Sequence, residues 1–305
     1  MQQQANPLLC NTETGICEIP ATPAETASNS SPFQGPKPVQ IIYYTDPICS
    51  SCWGIEPQLR KLKLEYGHYL TISYKMGGLL PNWSYNSGGI SQPADVAKHW
   101  DEAGLHYEMP INGDVWLEDP LDSSYPPSLA FKAAQMQDED KAVAFLRNIR
   151  EMLFLHKKNI TRWEFLESAA SASGLDVAQF KKDYEGPAAT LFNEDLRLGK
   201  SLGVRGFPTL FFSDRAGRTE MVYGSKPYAA YENAILQLHP SAVKNQYSRA
   251  EAPLFAVYPT LTVKEFAVLT DRSVDESQNI LDAMTQENKL VITTTSRGAI
   301  WKWKQ

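Results

Sequence analysis

Residues 44–54 read YTDPICSSCWG, and two cysteines, Cys49 and Cys52, stand just after an apolar run with two residues between them. The run before them, VQIIYYT at 39–45, is β-rich and stops at Asp46-Pro47, as a buried strand does at a turn. After them, SSCWGIEPQLRKLKLEYG at 50–67 carries Ile55, Leu59, Leu62 and Tyr66 at helical spacing and closes on Gly67. Pro57 is expected to kink that helix without ending it. Cys49 therefore falls at a strand-to-helix turn and Cys52 in the first helical turn. A thiol–disulfide couple needs this placement. Unpaired backbone N–H groups and the helix dipole stabilise a thiolate there, so an exposed Cys49 is expected to titrate below a free thiol. Cys52 lies close enough to resolve a mixed disulfide. A zinc site would need two further ligands, and no neighbouring His or Cys provides them.

Further along, LTISYKM (70–76) reads as a second strand, and two helical stretches follow at 128–137 and 139–158. Thr161 and Glu164 have the spacing of a capping box opening a helix that Gly174 ends, and Pro187 opens another toward Leu202. Two strands, TLFFSD (209–214) and EMVYG (220–224), join through Arg215-Ala216-Gly217 and precede a helix from about Pro227 to Leu236. Without the block of helices, the order is the βαβ–ββα plan of a thioredoxin fold.

The other half of the expected site is GVRGFPTLFF (203–212). A proline directly before a strand cannot donate to the ladder. In a thioredoxin-like plan it is a cis proline facing the CxxC, leaving the preceding backbone free for an incoming peptide; the alternative is a trans proline at a strand start. That assigns Pro208 to the catalytic set with Cys49 and Cys52, and Phe207 and Thr209 to the substrate groove, with Trp53 read as a packing residue that turns one face to that groove or as packing alone.

DPICSSCWGIEPQLRKLKLEYG, FLRNIREMLFLHKKNI and GVRGFPTLFF together resemble the DsbA/FrnE-like thioredoxin superfamily. They are most similar to its cytosolic branch of adaptors that present the Spx regulator to the ClpXP protease. The resemblance covers about residues 39–237. It implies Cys49 as nucleophile, Cys52 as resolving thiol and Pro208 as the cis proline. Ser50-Ser51 stands where strong oxidants carry Pro-His, which implies a more reducing couple. That branch's Cys/His-rich zinc tail is not matched, since no His precedes His68.

Residues 1–38 are read as an N-terminal cysteine-bearing tail and linker, with PATPAETASNSSPFQGPKP at 20–38 as the linker. Cys10 and Cys17 could close a disulfide loop, exchange electrons with the CxxC as an auxiliary redox pair, join it around zinc, or stay idle. Residues 39–240 are the DsbA-like domain, with its helical insertion at about 80–202. Residues 241–305 read as helix, helix and β-hairpin, a winged-helix-like module. Its second helix carries Asp275, Glu276, Asp282 and Glu287 and no Lys or Arg, so packing or protein docking is expected rather than DNA reading.

Composition agrees with a globular chain: 305 residues, 43% hydrophobic and 21% charged. A net charge of −6 gives no drive toward nucleic acid or anionic membrane. No apolar run approaches the roughly 20 residues of a membrane span, and MQQQANPLLC lacks the features of a signal peptide. The expectation is a cytoplasmic protein with no cofactor and no metal. Its leading function is thiol–disulfide oxidoreductase or isomerase on protein substrates. The alternative is a non-enzymatic adaptor delivering a regulator to ClpXP.

Overall fold

The computed structural model describes residues 10–11, 14–18, 37–85 and 92–304. Most of the 20–38 linker lies outside the described residues, as do the side chains of Cys10 and Glu18. In chain order the elements begin with β1 (Cys10–Asn11), β2 (Ile16–Glu18), β3 (Val39–Thr45), α1 (Ser50–Gly54), α2 (Glu56–Tyr66) and β4 (Leu70–Met76). The helical block follows: α3 (Pro93–Tyr107), α4 (Val115–Glu118), α5 (Tyr125–Gln137), α6 (Glu139–Phe154), α7 (Trp163–Ala172), α8 (Val177–Tyr184) and α9 (Ala188–Ser201). Then come β5 (Gly206–Phe207), β6 (Thr209–Asp214), β7 (Thr219–Tyr223) and α10 (Tyr228–Leu238). The chain finishes with α11 (Glu251–Val257), β8 (Thr260–Thr262), α12 (Val263–Thr270), α13 (Val274–Gln286), β9 (Leu290–Thr295) and β10 (Gly298–Trp303).

The central sheet has the order β4-β3-β6-β7. β3 and β4 run parallel, which requires the α1–α2 crossover, and β6 and β7 add antiparallel at the far edge. Six of the seven β3 residues are buried, as expected of a central strand covered on both faces. The single kinked helix expected over 50–67 is instead two: α1 ends at Gly54, and Ile55 caps both it and α2, which opens with Pro57 in its first turn, where the missing N–H costs no helical bond.

One predicted feature fails. Thr161 and Glu164 do not form a capping box, because the Thr161 hydroxyl and amide are both taken by Asn159 Oδ1, at 2.5 and 3.1 Å. The helix instead starts at Trp163 with Arg162 as its cap residue.

The last segment encloses its own core of Leu254, Phe255, Leu261, Phe266, Leu269, Leu281, Leu290 and Trp301. Its sheet order is β8-β10-β9, so β8 and α11 complete the predicted two helices and hairpin. The segment packs α12 against α2, and Ile300 joins the main core. Buried charge fixes the contact. Glu265 is fully buried and accepts a bidentate pair of bonds from Arg147 of α6, at 2.7 and 3.0 Å. Arg60 of α2 lies 3.2 Å from the same carboxylate and also donates to the Thr260 carbonyl at 2.7 Å.

Candidate functional site

β3 ends and α1 begins around Asp46-Pro47-Ile48. Asp46 organises this turn from inside the protein. Its carboxylate accepts from the backbone N–H of Ile48 at 3.1 Å and of Leu79 at 2.8 Å, and from the Ser124 hydroxyl at 2.9 Å. Burial pushes the Asp46 carboxyl up to about 6, and these donors only partly counter it. Arg150, also fully buried, donates to the Asp46 carbonyl at 3.0 Å, to Thr45 Oγ1 at 2.7 Å and to Glu56 at 2.7 Å. The helical block thus holds the turn that carries the cysteines.

Cys49 is the cap residue of α1. Its Sγ accepts from the Cys52 backbone N–H at 3.1 Å, and the two cysteines are joined as a disulfide. This is the predicted placement, with one correction. Cys49 is not exposed: both cysteines have 0% relative exposure. What covers Cys49 is β2, which pairs antiparallel with β5 and sets Cys17 opposite Phe207. Cys17 is itself fully buried, with its Sγ 3.4 Å from Cys49 Sγ and 3.4 Å from Ser51 Oγ. β1 and β2 pair with Cys10 opposite Cys17 in the backbone register. The disulfide and zinc readings of that pair depend on the Cys10 side chain, which lies outside the described residues. Among the described residues no group of three or more His, Cys, Asp or Glu side chains is placed to hold a metal ion.

The Phe207–Pro208 peptide is cis, and the Pro208 carbonyl accepts from Gly224 N–H at 2.8 Å. Phe207 is buried against Gly77, where any Cβ would fall inside the phenyl ring. Thr209 is buried too, and its hydroxyl donates to the Gly206 carbonyl at 2.7 Å, closing the loop around the proline. Cys49, Cys52, Phe207 and Pro208 are thus gathered at one end of the sheet.

Trp53 is the second correction. Sequence reasoning put one face near the groove, but the ring is fully buried and turned inward. It stacks on Phe154 at 5.6 Å, lies under the Arg147 guanidinium at 4.4 Å, and donates from Nε1 to the Pro110 carbonyl at 3.1 Å. The residue after Cys52 therefore contacts the same arginine that binds Glu265.

Asp46 is a site residue that sequence reading missed; an Asp-Pro after a strand reads simply as a turn. Tyr107 was also missed. Its hydroxyl lies 2.8 Å from Ser51 Oγ, and its ring packs where only a glycine at Gly54 leaves room.

Comparison with known proteins agrees with this geometry. The thioredoxin family model matches residues 43–233, and the chain belongs to the thioredoxin family. A "ClpXP adapter protein SpxH" of Halalkalibacterium halodurans is 34% identical over 309 residues, covering 99% of each chain. The Bacillus subtilis protein of the same name is 30% identical, covering 87% of this chain and 89% of its own. Among solved structures, the cytosolic disulfide reductase DsbM of Pseudomonas aeruginosa superposes with a TM-score of 0.53. It has 24% identity, covers 65% of this chain and 99% of its own, and speaks for the fold alone.

Proposed function

We propose that this protein is a cytoplasmic adaptor that delivers a regulatory protein to the ClpXP protease. The observation that carries the reading is the end-to-end match to relatives named as ClpXP adapters, which takes in the C-terminal segment as well as the thioredoxin domain. The burial of Cys49 and Cys52 supports it as well, since an adaptor needs no open redox site. On this reading residues 39–240 form the body and residues 1–38 its tail. Residues 241–305 are a winged-helix-like packing and docking module rather than a nucleic-acid reader. Among the described residues, no helix is long and apolar enough to cross a membrane.

The test is a reconstituted degradation reaction with ClpX, ClpP, ATP and the Spx regulator named by the resemblance. Adding the protein should shorten the regulator's half-life, and the double variant Cys49→Ser/Cys52→Ser should do so equally well. No acceleration by the unaltered protein would overturn the adaptor reading.

A second reading is supported by one specific observation, the Cys49 sulfur held at a helix N-terminus by the Cys52 amide. Here the protein is a thiol–disulfide oxidoreductase or isomerase. Cys49 attacks a client disulfide, Cys52 resolves the mixed disulfide, and Pro208 with the Phe207 backbone aligns the client strand. Reduction of insulin disulfides by the protein, lost in Cys49→Ser, is its measurable consequence. Equal rates with and without the protein would count against it.

A further inference from the structure

The strand beside the CxxC is supplied by the chain itself. β2 adds to the β5 edge as an extended peptide adds to an exposed sheet edge, placing its cysteine opposite the residue before Pro208. The neighbouring residue, Ile16, is buried at 7% exposure between two glycines. A Cβ on Gly206 would lie 2.7 Å from Ile16 Cγ2 and 2.6 Å from the Cys17 carbonyl oxygen. A Cβ on Gly224 would lie 2.6 Å from Ile16 Cγ1. The missing side chains of Gly206 and Gly224 therefore shape a slot for the aliphatic residue that precedes the cysteine. Ser225 N–H donates to the Gly15 carbonyl at 2.8 Å and fixes the register one residue further on.

We propose that residues 14–18 are a tethered stand-in for a client peptide. The cleft they fill then recognises an extended segment with a branched aliphatic residue immediately before a cysteine. The inference deepens the client-binding part of the second reading, but it concerns occupancy of the cleft and does not require turnover. The hairpin is small, with strands of two and three residues, and is joined to β5 through two register pairs. Such an element opens at a fraction of the free energy of global unfolding. In the closed state Cys17 shields Cys49, and in the open state the cleft is available to a client of the same chemistry.

The contact is also chemically competent. With Cys52 replaced by Ser, the remaining Cys49 sulfur faces Cys17 Sγ at 3.4 Å, and a disulfide at Cys17 is then open to attack by the Cys49 thiolate. Attack forms a Cys49–Cys17 bond and expels the sulfur previously bound to Cys17 as a thiolate. One disulfide is exchanged for another, so no external oxidant is consumed.

Three measurements on the full chain test this. In Cys52→Ser, peptide mapping under non-reducing conditions should recover a Cys49–Cys17 disulfide; its absence would contradict the contact. In the fully reduced protein, Cys49 alkylation by iodoacetamide, located by mass spectrometry, should be slow. It should rise about ten- to hundredfold in Ile16→Asp, the range set by losing burial of one aliphatic side chain. An unchanged rate, with the fold intact by circular dichroism, would overturn the stand-in. Finally, a fluorescent peptide Thr-Gly-Ile-Ser-Glu should bind Ile16→Asp but not the unaltered protein, and its Asp-for-Ile version should bind neither. Equal binding of the two peptides would overturn the aliphatic slot. These readouts are independent of insulin reduction, so failure of the oxidoreductase reading leaves them interpretable.

Discussion

Two buried carboxyl groups, Asp46 beside the CxxC turn and Glu265 at the contact with the C-terminal segment, behave in opposite ways. Asp46 is surrounded by neutral donors, while the Arg150 guanidinium bonds its backbone carbonyl rather than its carboxylate. Burial dominates there and favours the protonated acid. Burial of Glu265 acts in the same direction, but Arg147 and Arg60 more than offset it and hold the carboxyl below its ordinary range. Glu265 and Glu151 in turn outweigh the burial of Arg147 and raise its pKa. The CxxC end is thus held by hydrogen bonds that tolerate a neutral acid, and its outer face is closed by a short hairpin. The C-terminal segment is fixed by charges that cannot be separated cheaply. One face is built to open and the other to stay shut.

The largest expected effect breaks the charged face. Glu265→Ala leaves two buried guanidinium groups facing each other without their shared counter-ion and should cost about 3–5 kcal/mol. Urea unfolding should then show loss of two-state behaviour, with the C-terminal segment released first. A loss below about 1 kcal/mol, the worth of an exposed pair, would mean that the segment is held by apolar packing alone.

The next concerns Asp46. A carboxyl raised in the folded state stabilises the protein fully below its unfolded value and loses that contribution as pH rises through the folded value. Raising it from 3.8 to about 6 corresponds to about 3 kcal/mol. Stability should therefore fall between about pH 4 and pH 6 in the unaltered protein, and Asp46→Asn should flatten that slope. Glu265, with its lowered value, acts in the opposite sense and loses its contribution as pH falls through its folded value. Unfolding midpoints across this range, taken for both variants, separate the two carboxyls.

The smallest effect joins the two regions. Trp53→Phe keeps most of the stacking on Phe154 but loses the bond to the Pro110 carbonyl and weakens the contact under Arg147. The expected cost is about 1–2 kcal/mol, from one hydrogen bond and one partly buried cation–π contact. A neutral result would show that the tryptophan is simple filler.

Much of the fold was legible because its signals are local. The β3 and β4 runs and the tail's helices and hairpin all follow from residues within one window, whereas the helix read as kinked at Pro57 is in fact broken at Ile55. The pairing of Cys49 with Pro208 was legible only through the family resemblance, since no local pattern relates residues 159 positions apart. What failed depended on partners distant in sequence or on competition between neighbours. Trp53 turns inward because Phe154, Arg147 and Pro110 receive it. The burial of Cys49 comes from Cys17, across a segment whose composition reads only as a linker. Thr161 looked like a cap by spacing, yet Asn159 captured its hydroxyl first. Asp46 looked like turn chemistry, and only Leu79 and Ser124 reveal it as a buried acid.

The contrast between an openable face and a fixed one is tested most directly by native-state hydrogen exchange on the full chain. Ser225 N–H, bonded to the Gly15 carbonyl, reports the hairpin; Thr262 N–H, bonded to Glu265 Oε2 at 2.8 Å, reports the charged contact. Ser225 should exchange through local opening, with a rate nearly independent of low urea, while Thr262 should exchange only by unfolding and follow the global denaturant slope. Should both amides follow the global slope, or Thr262 open first, the account of a removable cover over the CxxC would be wrong.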